Sequence, residues 1–163
     1  MPEHIVDTGP LVGWINRGDQ WHNWSVSILQ ALEPPLVTCE SVIAEAAWHL
    51  ADSREAVDRL YGLIEAGALR IVPLLPDHIA HLRALSAKYP QMDFCDAAVV
   101  RLSEILPRAL VLTTDIGHFT IYRRFQNKPI PLLHPRGRSR KISDCFARRT
   151  ILPGVAVSSS TNI

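Results

Sequence analysis

Apolar residues along the chain fall into short runs separated by longer stretches with helical spacing. The runs are His4-Ile5-Val6, Leu36-Val37-Thr38, Leu69-Arg70-Ile71-Val72, Ala109 to Thr113 and Ile130 to Leu133, and each reads as a strand. Between them, residues 20–33 set Trp21, Trp24, Ile28 and Leu32 on one helical stripe. Ser41 is expected to open a second helix over about 41–51 that carries Val42, Glu45, Ala46 and His49, and two more are expected over 53–66 and 77–89, with Gly67 and Pro90 as stop signals. The stretch from Phe94 to Leu106 spaces Ala97, Val100, Leu102 and Ile105 as a helix does and ends before Pro107, whose ring disfavours helical backbone in the residue before it. A short helix is expected after His118, and Asp7-Thr8-Gly9-Pro10 reads as a turn. Strands alternating with helices predict an α/β fold around a mostly parallel sheet, because parallel neighbours need a crossover between them.

Beyond Pro135 the periodicity fades into Arg136-Gly137-Arg138-Ser139-Arg140-Lys141 and then Ser158-Ser159-Ser160-Thr161-Asn162. A basic, low-complexity segment of this kind buries too little to fold by itself, so the reading is one domain over 1–135 followed by a disordered tail over 136–163. The net charge of +1 therefore conceals a division: the first part holds 11 Lys/Arg against 15 Asp/Glu, or −4, and the tail 6 against 1, or +5. With 163 residues, 47% of them hydrophobic, the chain can bury a core without disulfides. Cys39, Cys95 and Cys145 are odd in number and lack C-x-x-C spacing, which argues for a reducing, cytoplasmic setting. No apolar segment approaches the roughly 18 residues needed to span a bilayer, and no secretory leader is visible, so no membrane role is expected.

The acids change the picture most. Asp7 and Asp115 each follow an apolar strand, the place where ligands collect in an open parallel sheet. Asp93 and Asp96 stand three apart at a helix start, where the helix dipole favours negative charge, and Glu45 lies on its own helix. Carboxylates gathered at about 5 Å would repel by roughly 3 kcal/mol a pair at an effective dielectric of about 20. A divalent cation removes that conflict, and an oxygen-only donor set favours Mg²⁺ or Mn²⁺ over zinc. The seven histidines show no H-E-x-x-H motif, which leaves a Glu45–His49 zinc pair a minor reading. Trp14, Trp21, Trp24 and Trp48 are assigned to packing rather than to base stacking.

In this order, Val6-Asp7-Thr8, Ile43-Ala44-Glu45, Met92-Asp93-Phe94-Cys95-Asp96-Ala97 and Leu112-Thr113-Thr114-Asp115 resemble the motifs of PIN-domain nucleases, and in particular VapC-type toxins. Gly117 to Arg123 resembles the segment that follows the family's last acid, so the resemblance spans about residues 3–134. It implies a three-layer α/β/α sandwich, with Asp7, Glu45, Asp96 and Asp115 catalytic and metal-binding and Asp93 a further metal-side carboxylate. Thr8 and Thr113 become hydrogen-bonding helpers at the substrate, and Arg123, Arg124 and Lys128 hold flanking phosphates. The resemblance also implies cleavage of RNA, a homodimer and a cognate antitoxin encoded alongside. Two other readings stand beside it. One is a haloacid-dehalogenase-like phosphatase, which expects an aspartate at position 9, where this chain has Gly9. The other is a PIN-like module that binds RNA or protein without cutting.

Overall fold

The computed structural model describes residues 3–135, so the expected disorder of 136–163 concerns residues outside those described. Five short strands form a single sheet: β1 (His4–Val6), β2 (Leu36–Thr38), β3 (Leu69–Ile71), β4 (Leu110–Leu112) and, from the end of the described chain, β7 (Leu132–Leu133). Their spatial order is β3-β2-β1-β4-β7, with every pairing parallel. Such strands are buried on both faces and read as continuous apolar runs, which is why the sequence reveals them. Ile5, Val6, Val37, Val111 and Leu112 are all fully buried.

Helices join the strands: α1 (Thr8–Ile15) and α2 (His22–Ala31), then α3 (Glu40–His49) and α4 (Arg54–Glu65), then α5 (Ile79–Lys88) and α6 (Phe94–Ile105), and the single turn α7 (Ile116–Phe119). The result is the expected three-layer α/β/α sandwich, and its sheet is wholly parallel. From β1 the chain builds outward through β2 to β3, then returns to lay β4 and β7 on the other side of β1. The strand order thus reverses between β1 and β4, in the register His4–Leu110, Ile5–Val111 and Val6–Leu112. Loops on the two sides of such a reversal diverge and leave a crevice beyond the carboxyl ends of the strands.

Several expectations need correction. Thr8 to Pro10 is not a turn but the first turn of α1, capped by Asp7. Proline is tolerated there because the first N–H groups of a helix have no partner within it. Helix α3 begins at Glu40 rather than Ser41, and α7 begins at Ile116, ahead of His118. An antiparallel hairpin, β5 (Arg123–Arg124) with β6 (Lys128–Pro129), was not expected, since its strands are polar. Its connection holds Gln126 and Asn127 at φ of 55° and 58°. Trp14 and Trp24 pack on the core as expected, whereas Trp48 is 74% exposed.

Candidate active site

Asp7 leaves the end of β1 with its N–H donating to the Leu112 carbonyl at 3.0 Å, so the β1–β4 pairing fixes its position. Its carboxylate, 7% exposed, accepts from the Thr8 N–H at 2.8 Å and from the Thr113 hydroxyl at 2.7 Å. That hydroxyl in turn accepts from the Asp115 N–H at 3.0 Å, so one side chain ties together the ends of both strands. Asp115 caps α7: Oδ1 accepts from the His118 N–H at 3.0 Å and Oδ2 from His118 Nδ1 at 2.8 Å. From α3, Glu45 Oε2 accepts from the Thr8 hydroxyl, which also lies 3.7 Å from Cys95 Sγ on α6. Asp93 caps α6 by accepting from the Asp96 N–H at 2.8 Å, and Asp96 accepts from the Tyr122 hydroxyl at 2.7 Å.

The five acids named from the sequence therefore form two hydrogen-bonded groups, Asp7 with Glu45 and Asp115, and Asp93 with Asp96. Their charges link the groups. Burial pushes the Asp7 carboxyl up to about 7, the charges of Asp96 and Glu45 adding to it and the hydrogen bonds from Thr113 and Thr8 opposing it. Asp96 rises to about 6, again chiefly by burial, with Asp93 and Asp115 adding to it and Tyr122 opposing. Burial also pushes the Cys95 thiol up, so it is held as a neutral, unreactive group.

Two acids whose charged forms are this costly suit a cation, and the oxygen-only donors suit Mg²⁺ or Mn²⁺. Among the described residues no set of three or more His, Cys, Asp or Glu side chains is placed to enclose a metal ion, and this holds for zinc as well. Mg²⁺ does not need such a cage, because it keeps several waters and is bound through one or two carboxylates together with substrate phosphates. His49, the sequence's minor zinc candidate, is exposed and lies edge-on to Trp48 at 4.9 Å.

Four of the five residues expected at the substrate have partners within the fold. Thr8 and Thr113 give their hydroxyl protons to Glu45 and Asp7, and so hold those two acids in place. Arg123 Nη1 donates to the carbonyls of Thr120, Ile121 and Tyr122, and Arg124 Nη1 to those of Ser103 and Pro107, as caps for helix ends that the polar sequence did not betray. Lys128 is exposed on the hairpin. Sequence reasoning missed the hydrogen bond of Tyr122. Its one signal is a tyrosine in an apolar segment, since a buried phenol needs a partner.

Gly9 is demanded by close approach: a Cβ there would lie 1.9 Å from Thr114 Oγ1 and 3.1 Å from Thr114 Cβ. The aspartate that a phosphatase of haloacid-dehalogenase type requires at this position has no room. Gly9→Ala is expected to press α1 away from the loop after β4, costing about 1–3 kcal/mol by overpacking and lowering activity about tenfold or more through displacement of Asp7. Urea midpoints and reaction rates check this, and adding Thr114→Ala should recover most of both losses.

The sequence profile of the PIN domain family matches residues 4–124. Among solved structures, the fold is similar to that of Mycobacterium tuberculosis VapC20, described as a toxin cleaving the sarcin-ricin loop. The TM-score is 0.61 at 15% identity, over 67% of this chain and 87% of that one. No curated protein matches the sequence. Among the described residues no helix is long and apolar enough to cross a membrane.

Proposed function

The chain belongs to the PIN domain family, and from that membership we propose that it is a Mg²⁺- or Mn²⁺-dependent endoribonuclease working through Asp7, Glu45, Asp96 and Asp115, with Asp93 beside them. One observation carries this reading: acids from four separate parts of the chain, Asp7 after β1, Glu45 on α3, Asp96 on α6 and Asp115 after β4, act on one another through shared hydrogen bonds and charge beside the reversal of the sheet, and burial together with that charge holds Asp7 up at about 7. The ion would be held by one or two carboxylates drawn from Asp7, Asp96, Asp115, Glu45 and Asp93, with waters and substrate phosphate completing its shell. Bound there, it supplies a water of lowered pKa and positive charge against the scissile phosphate. The chain's own part is orientation. Thr113 and the Thr8 N–H fix both oxygens of Asp7, the Thr8 hydroxyl holds Glu45, and His118 holds Asp115. These contacts spare the acids rotational freedom that would otherwise be lost in the transition state. A bound cation would reverse the local charge and so admit phosphate to so acidic a crevice, and Lys128, exposed on the hairpin, would hold a flanking phosphate.

The VapC resemblance of the motifs and the likeness to VapC20 support the toxin of a toxin–antitoxin pair, acting in the cytoplasm as a homodimer and neutralised by an antitoxin protein. The test is cleavage of labelled tRNA and rRNA fragments, a sarcin-ricin loop oligonucleotide among them, in Mg²⁺, Mn²⁺ or EDTA, beside Asp96→Asn. The expected result is discrete cuts that need metal and vanish in the variant. Cutting that persists in EDTA, or that the variant matches, would remove the carboxylate mechanism. A folded protein that binds RNA and never cuts would instead favour the non-catalytic module.

A further inference from the structure

Tyr122 is fully buried just beyond α7, yet its hydroxyl reaches the half-buried Asp96 on α6 at 2.7 Å. Its ring is enclosed by Tyr89 at 5.2 Å between centroids, Phe119 at 5.6 Å, and His118 at 6.1 Å and within 23° of parallel. The backbone is pinned as well. Tyr89 accepts from the Arg123 N–H at 3.1 Å, and Arg123 Nη1 donates to the Tyr122 carbonyl at 2.8 Å. A phenol confined in this way offers its proton in one direction, and so confines the oxygen that accepts it. Asp96 is also the acid whose charge bears on Asp7 and which feels both Asp93 and Asp115. Four positions before Tyr122, the stacked His118 holds Asp115 at 2.8 Å.

We propose that Tyr122 is a positioning residue that turns the Asp96 carboxylate for cation binding, and that its stack on His118 fixes Asp96 relative to Asp115. The inference rests on the metal-dependent reading above. It also gives Arg123 its use: the arginine braces the segment that carries both rings.

The experiment is Mn²⁺ binding without RNA, followed by electron paramagnetic resonance, for the full chain, Tyr122→Phe, and Tyr61→Phe as an exposed-phenol control. Removing a partner behind a metal ligand typically weakens metal binding about ten- to a hundredfold. Tyr122→Phe should show that loss with its melting temperature within about 4 °C of the parent, as for one hydrogen bond, while Tyr61→Phe binds like the parent. Equal Mn²⁺ affinity in a folded Tyr122→Phe would overturn the proposal and leave the metal-dependent reading standing. A parent chain that binds no Mn²⁺ would overturn both. A second readout needs no variant at Tyr122: adding Mg²⁺ to the Tyr61→Phe chain should shift its tyrosine near-ultraviolet absorption, and an unchanged spectrum on saturation counts against the proposal.

Discussion

Replacing Asp7 by asparagine is expected to remove RNA cleavage, by roughly a hundred- to a thousandfold, the scale of losing one preorganised charge-stabilising group, while the metal-free protein stays as stable as its parent or becomes more so. The two effects share one cause. At neutral pH the buried carboxylate is costly to fold around, because it has left water for a place that also feels Asp96 and Glu45. The amide keeps the shape and the acceptor that caps α1 through the Thr8 N–H, and its amino group can donate to the Thr113 oxygen, which until then donated to it. What disappears is the charge that a cation needs. Cleavage rates and urea midpoints, the latter in EDTA, check both halves. An asparagine variant that cuts at the parental rate contradicts the assignment of Asp7, and one that unfolds contradicts the view of its charge as a burden on the fold.

The same burden sets a pH dependence. The folded carboxyl of Asp7 titrates near 7 and that of Asp96 near 6, both above the ordinary 3.8, so between those values the folded state holds more protons than the unfolded state. Stability then falls as pH rises. The favourable contribution is complete below about 4 and is lost as the pH climbs through 6 and 7, the opposite of the usual salt-bridged carboxylate. For Asp7 the loss is on the order of 3 kcal/mol, or roughly 10 °C in melting temperature for a chain of this size. Melting curves in EDTA from pH 4.5 to 7.5 should show the decline, Asp7→Asn should flatten most of it, and saturating Mg²⁺ should restore the parent at the upper end. A melting temperature that rises through this window in EDTA would show that the acids are already paired within the fold.

The sheet was legible in the sequence because fully buried parallel strands leave uninterrupted apolar runs, and β1, β2, β3 and β4 lie within one or two residues of those runs. The five longer helices from α2 to α6 were equally plain from their spacing. Helix α1 was not, because Gly9 and Pro10 ordinarily mark turns. Here the glycine answers to Thr114 across the crevice and the proline to the unpaired start of a helix, and neither need is written in the local pattern. The acids stood out as charges at strand ends and a helix start. Their supporting contacts did not, since nothing in the spacing says that Tyr122 points at Asp96 or that Arg123 turns back upon its own backbone. Isolated basic residues beside an acidic site invite an electrostatic reading, and only the tertiary structure shows the carbonyls that claim them.

The hydrogen bond between Thr113 and Asp7 joins residues 106 positions apart. A ribosome that has released β1 must therefore add nearly the whole of the remaining domain before the strand carrying Thr113 and Asp115 exists to pair with it. Through that interval the nascent chain carries each acid singly, with no crevice to gather them. Closing so long a loop is among the slowest steps in forming a parallel sheet. A site assembled this way exists only after the strand that carries Thr113 and Asp115 has been made, so its acids are gathered only near the end of the domain's synthesis.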